Sequence, residues 1–164
     1  QECPRVILDG AHSAPKIAEL LDALETIRPW KRLHVVFAAK KTKSVDDLIL
    51  PLLPIANTVT LTEFSLPGFS SHPAATIAEA ILRAAPHLPV HIVSDARTAA
   101  DTVLQNADPD DLVLITGSLY YLNVIRERWY PEEQILLQRS LFPVSRYLTK
   151  GVTSFITTRM SFDL

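Results

Sequence analysis

Val6-Ile7-Leu8-Asp9-Gly10-Ala11-His12-Ser13 is the stretch from which the fold is read. A short apolar run ends abruptly in an acid, a glycine and an imidazole, and an amphipathic segment follows at once. That order predicts a buried strand, a tight turn, and a helix whose N-terminus is capped by Ser13. Ile17, Leu20, Leu21, Leu24 and Ile27 repeat at the spacing of one buried helix face. Pro15 is tolerated in the first turn and Pro29 ends the segment.

The same strand–turn–helix unit recurs outward from there. Leu33 to Ala38 reads as a second strand and is followed by the basic turn Lys40-Lys41-Thr42-Lys43-Ser44. Ser44 and Asp47 have the spacing of a capping box ahead of a helix through Val45, Leu48, Ile49, Leu52 and Leu53. Thr58 to Thr62 is a third strand. Glu63 to His72 reads as the longest irregular loop, a length associated with function or mobility. Pro73 begins a third helix with Ile77, Ala78, Ile81, Leu82 and Ala85 inward. Val90 to Val93 is a fourth strand, and Ser94 or Asp95 caps a helix that buries Ala99, Val103 and Leu104. Leu112 to Thr116, the most continuous apolar run, is expected at the centre of the sheet. Gly117-Ser118 turns into a fifth helix with Leu119, Leu122, Ile125 and Trp129 buried. Five such units predict a parallel sheet with helices on both faces. Glu132 to Leu141 has the pattern of a further helix, and 144–164 reads as a tail with mixed signals.

The bulk composition narrows the function classes. The chain has 164 residues, 48% hydrophobic and 21% charged, enough for one globular domain with a core. A formal charge of -2 gives no general pull toward nucleic acid or an acidic membrane. One cysteine, Cys3, excludes an internal disulfide. No apolar run is long enough for a membrane span. The chain opens at Gln1 and enters a core strand almost immediately, as expected of a piece of a longer polypeptide.

Several chemistries fail on motif grounds. The first turn lacks the G-x-G-x-x-G that dinucleotide binding needs, and no P-loop occurs anywhere. With four glycines the chain does not cradle a triphosphate by itself. Thr116-Gly117-Ser118-Leu119-Tyr120 departs from a nucleophile elbow, so Ser118 reads as a helix cap rather than a hydrolase nucleophile. A capped helix N-terminus is also a carboxylate site. None of the five histidines has metal-ligand spacing. His34 and His91 fall in strands and read as structural, and His72 and His87 as surface loop residues. His12 lies in a turn at the ligand-facing edge, where structural and functional roles are both open. Asp9 caps a turn or meets a ligand, and the lysine cluster is a solvated turn or an anion site.

These residues resemble a known family. Val6–Ser13 is similar to the D-G-A-H-N-P segment that opens the C-terminal domain of folylpolyglutamate synthase/dihydrofolate synthase, and Leu112–Tyr120 to that family's V-T-G-S-L-Y/H segment. Val35-Val36-Phe37-Ala38-Ala39 with Lys43 resembles the V-F-G-x-x-x-D-K-D turn. Order and spacing agree over roughly residues 5 to 130. Ser13-Ala14 stands where bacterial members carry N-P, Ala38-Ala39 where a glycine-containing turn is usual, and Ser44 where K-D carries its acid.

The resemblance implies a Rossmann-like α/β domain of about five to six mostly parallel strands over residues 1–143, belonging to the Mur ligase superfamily. It implies an ATP- and Mg²⁺-dependent ligase that joins L-glutamate to a folate or dihydropteroate carboxylate through an acyl phosphate. It further implies an upstream P-loop ATPase domain in the same polypeptide, over which this domain closes, and a cytoplasmic or organellar site. By the same resemblance Asp9, His12 and Ser13 meet the nucleotide, Lys43 and Ser118 bind the carboxylates of glutamate, and the fragment alone is inactive. The rival reading is a stand-alone, non-catalytic module that binds a small anion or a protein partner.

Overall fold

A computed structural model describes residues 4–129 and Pro131. The expected helix over 132–141, the domain end near 143 and the tail 144–164 lie outside the described residues.

Strand β1 (Arg5–Leu8) leads into helix α1 (Ala14–Thr26), and β2 (Leu33–Phe37) into α2 (Val45–Ile49). Pro51 tightens the end of α2 into a single 3₁₀ turn, Leu50–Leu52. After β3 (Thr58–Leu61) come the two short strands β4 (Ser65–Leu66) and β5 (Phe69–Ser70). Then follow α3 (Ala74–Ala84), β6 (Val90–Ile92), α4 (Ala96–Asn106), β7 (Leu112–Thr116) and α5 (Leu119–Arg126).

Five strands form one parallel sheet in the order β1-β7-β2-β3-β6. Two apolar clusters lie on its two faces. Ile7, Val35, Phe37 and Leu114 meet Ile17, Leu20 and Leu24 of α1, with Leu48, Ile49, Ile77 and Ile81 of α2 and α3. Val6, Val36, Val113 and Ile115 meet Ala99 and Val103 of α4 and Tyr121, Leu122 and Ile125 of α5. Strand residues alternate between the clusters because successive side chains point to opposite faces. Removing each large aliphatic side chain from water contributes roughly 2 kcal/mol.

Four local expectations are corrected. Glu63 to His72 is a hairpin, with Ser65 paired to Ser70 and Leu66 to Phe69 in antiparallel register. Pro67 presets its own φ and Gly68 takes a φ of +79°, the residue pair a type II turn calls for. Leu82 is 63% exposed, because α3 turns Ile77, Ala80 and Ile81 inward instead. Leu119 is 39% exposed, and the fully buried residue of that turn is Tyr121. Leu112 to Thr116 is fully buried and bonded on both sides, yet β2 rather than β7 is the middle strand.

Tyr121 locks α5 to the sheet. Its hydroxyl donates to the Thr116 carbonyl at 2.5 Å and lies 3.0 Å from the Val36 carbonyl, so one proton serves two strands. Burial holds the phenol's pKa up, and it stays a donor. Tyr121→Phe is expected to cost about 1–2 kcal/mol in a denaturation experiment, since it strips buried carbonyls of their donor. An unchanged midpoint would mean that the carbonyls find other donors.

Candidate functional site

Three turns come together at the carboxyl edge of the sheet because β1, β7 and β2 are neighbours. They are Asp9-Gly10-Ala11-His12 after β1, Gly117-Ser118 after β7, and Lys40–Lys43 after β2. The helix after β1 packs on one face of the sheet and the helix after β7 on the other. Such a reversal opens a crevice between neighbouring strand ends, the usual ligand position in this architecture.

Two glycines set the approach of these turns. The Asp9 amide donates to the Ile115 carbonyl at 3.0 Å, extending the β1–β7 pairing by one residue. A Cβ on Gly10 would lie 2.1 Å from Cδ2 of Leu119, so the β1 turn sits directly against the start of α5. Gly117 has a φ of +108°, and a Cβ there would lie 2.5 Å from the Ala38 carbonyl oxygen. The β7 turn therefore rests on the end of β2, a contact only glycine permits.

Within the first turn, Asp9 is buried at 2% exposure and its Oδ1 accepts the Ala11 amide at 2.7 Å. The half-buried His12 donates from Nδ1 to the Gly10 carbonyl at 2.7 Å. That bond places a hydrogen on Nδ1 and leaves Nε2 as the ring nitrogen open to a further partner. Ser13 occupies the N-cap position of α1 with extended backbone, but its side chain makes no capping bond. The expected side-chain cap is thus absent, and Pro15 at the start of the helix removes one of the amides such a cap would serve.

Ser118 does cap α5, with Oγ accepting the Tyr120 amide at 3.3 Å. It is 2% exposed and has no histidine partner among the described residues, so a hydrolase built on it lacks a base. Lys43 is exposed, and its carbonyl accepts Nε2–H of His72 at 2.8 Å. The three motifs share one edge, but access differs: Lys43 faces solvent, while Asp9 and Ser118 lie beneath the surface. Close by, the Thr116 hydroxyl is buried without a hydrogen-bond partner.

The hairpin braces this edge, a role that no local pattern in the sequence announces. Ser71 makes an antiparallel bridge to Lys40, the Lys41 amide donates to Ser70, and the His72 amide donates to Ala39. With the His72–Lys43 bond, these contacts brace the lysine turn on the hairpin. The Phe69 ring stacks on Tyr120 with centroids 4.6 Å apart, and Phe64 stacks on Tyr120 and Tyr121. Pro67-Gly68 between two phenylalanine-containing runs was the available signal.

A cavity of about 510 Å³ lies elsewhere, between α4 and α5. Its charged lining is largely paired, Arg97 with Glu127 and Arg128 with Asp101, and none of Asp9, His12, Ser13, Lys43 or Ser118 lines it. Among the described residues no three of His, Cys, Asp and Glu form a metal-binding group. No helix among them is long and apolar enough to cross a membrane.

The family model for the Mur ligase, glutamate ligase domain matches residues 1–119. Dihydrofolate synthase/folylpolyglutamate synthase of Bacillus subtilis (strain 168) is 30% identical over 128 residues, which cover 78% of this chain and 28% of that protein. The structure of E. coli FolC in complex with DHPP and ADP matches with a TM-score of 0.66 and 18% identity, over 82% of this chain and 29% of that one. That of bifunctional folylpolyglutamate synthase/dihydrofolate synthase of Yersinia pestis, complexed with AMPPNP and Mn ion, gives 0.65 and 20%, over 76% and 28%. The structural likenesses show a shared Rossmann-like α/β fold. The chain spans less than a third of the length of each of these relatives.

Proposed function

Because this chain belongs to the Mur ligase family through its glutamate ligase domain, we propose that it is the C-terminal domain of an ATP-dependent amide ligase. The ligase joins L-glutamate to a folate or dihydropteroate carboxylate by way of an acyl phosphate. ATP and Mg²⁺ are held mainly by an upstream P-loop domain of the same cytoplasmic polypeptide. The carrying observation is the convergence of the Asp9–His12, Lys40–Lys43 and Gly117-Ser118 turns on adjacent strand ends.

The residues at this edge suit the periphery of a nucleotide rather than its phosphates. Asp9 offers a carboxylate for a sugar hydroxyl, and His12 and Ser13 offer one ring nitrogen and one hydroxyl. When bound, the nucleotide supplies the phosphoryl group that activates the substrate carboxylate. No residue of this chain is assigned to Mg²⁺. Lys43 provides a mobile cation for one carboxylate of glutamate, and Ser118 with the N-terminus of α5 provides donors for the other. Closure of this domain over its neighbour brings the amine to the acyl carbon and keeps water away.

The test is transfer of radiolabelled L-glutamate to dihydropteroate or a reduced folate by the full polypeptide, with ADP released in equal amount. Absence of ATP-dependent amide formation with either acceptor class overturns the reading. Within an active enzyme, Lys43→Ala is expected to raise KM for glutamate roughly tenfold, the loss of one charge-assisted contact. KM for ATP should move less. Asp9→Ala should reverse the pattern, and if both substitutions moved only KM for ATP this division of roles would be wrong.

A further inference from the structure

We infer that Lys40 is a further carboxylate-binding residue of this site, held ready by the β4–β5 hairpin; the inference rests on the ligase reading.

A lysine at a strand end ordinarily waves in solvent, and ordering its side chain costs rotamer entropy. Here the residue is fixed at both ends. Its backbone bridges Ser71, and its Nζ lies 4.3 Å from the centroid of the Phe69 ring and 5.6 Å from that of Tyr120. A cation–π contact near solvent is too weak to offset that ordering by itself. No carboxylate of the described residues lies within 4 Å of Lys40, Lys41 or Lys43. Among the described residues the charge is therefore placed without being neutralised. Tyr120, which forms part of its seat, follows Ser118 by two residues and lies in the first turn of α5. Lys40 thus stands on the same edge as the proposed glutamate contacts.

The hairpin adds a second argument. Residues 65–70 are exposed throughout, so their burial does little to justify two strands. What they do make are contacts to Lys40, Lys41 and Tyr120. A pre-ordered ammonium binds an anion with less entropy to lose. Both substrates of the proposed reaction carry the fitting group: the incoming glutamate has two carboxylates, and an acceptor that is already glutamylated has several.

The experiment compares the full polypeptide with its Lys40→Met and Lys40→Arg variants. Methionine keeps the stem against the rings and deletes the charge. Equilibrium titrations with L-glutamate and with γ-triglutamate are run alongside KM measurements for glutamate and for acceptors bearing one or three glutamates. Lys40→Met should weaken binding and raise the matching KM about tenfold, with kcat moved much less, and Lys40→Arg should recover most of it. A change confined to glutamate assigns the carboxylate to the incoming amino acid. A change that grows with the acceptor's glutamate number assigns it to the acceptor tail. Affinities and KM values within twofold of the unsubstituted protein for every ligand would overturn the inference. Failure of the unsubstituted protein to form any amide would instead overturn the ligase reading, and the titrations would still decide whether Lys40 binds a carboxylate.

Discussion

Gly117→Ala should destabilise this domain by about 4 kcal/mol, the largest loss expected from any single methyl group added at the carboxyl edge. Two costs add. At a φ of +108° a side chain other than hydrogen is strained by roughly 1–3 kcal/mol. The new Cβ would also stand 2.5 Å from the Ala38 carbonyl oxygen and 2.6 Å from Cε2 of Phe37. Both neighbours belong to the end of the middle strand and are fully buried, so neither moves without breaking the β2–β7 ladder. Relief by a backbone shift would carry Ser118 and the start of α5 away from the site, so activity should fall with stability.

Gly10→Ala is the comparison. Its Cβ would meet only the far end of Leu119, which is partly exposed and free to rotate. That cost should stay near 1 kcal/mol. Denaturant midpoints of the two variants decide the matter: an alanine at Gly117 no worse than one at Gly10 would refute this account of the turn.

Asp111→Ala ranks second, at about 3 kcal/mol. Asp111 is buried at the opposite, amino-terminal edge of the sheet and gathers four donors. Arg32 reaches it through Nε at 3.1 Å and Nη2 at 2.6 Å, the Asp108 amide at 2.8 Å, and Nε2–H of His34 at 3.1 Å. His34 completes the chain by accepting at Nδ1 from the Thr58 hydroxyl at 2.8 Å. Removing the carboxylate leaves a guanidinium, an imidazole and an amide without their common acceptor.

Burial works to raise the Asp111 pKa. The Arg32 hydrogen bonds, the Asp108 amide and His34 outweigh it and hold the carboxyl at about 2. A depressed carboxyl pKa contributes stability that is present above the unfolded value near 3.9 and is lost as pH falls through about 2. That contribution is about 1–2 kcal/mol, kept modest because Arg32 is partly open to water. Between pH 4 and pH 2 the unsubstituted protein should therefore lose stability that Asp111→Ala has already lost. Parallel stability curves across that range would show that Asp111 is not the group responsible.

The architecture was legible because hydrophobic period and turn chemistry agreed in each unit. Ile17, Leu20 and Leu24 face the core as their spacing requires, and Leu33 to Phe37 is a buried strand end to end. Caps at Ser44, Asp95 and Ser118 stand where the sequence places them. The misreadings have physical causes. Leu82 and Leu119 are apolar residues at helix positions whose faces the sheet does not reach. The hairpin escaped because two-residue strands are too short for period-2 alternation to show, leaving only Pro67-Gly68 as a sign.

Residues of the candidate site divide in the same way. Asp9, His12, Ser13, Lys43 and Ser118 were found by local motif and resemblance, which need only neighbours along the chain. Lys40, Phe69, Tyr120 and His72 form their contacts across 29 to 80 residues, and no local pattern announces such pairs.

By itself the sequence determined the number of strand–helix units, their direction and the residue types at each turn, because these follow from periodicity, capping and the rigidity of proline and glycine. Only the tertiary structure decided that β7 inserts between β1 and β2. That strand order costs long-range loop closure and is settled by which buried faces fit together. It is this insertion that brings the Asp9, Lys40–Lys43 and Ser118 turns to one edge.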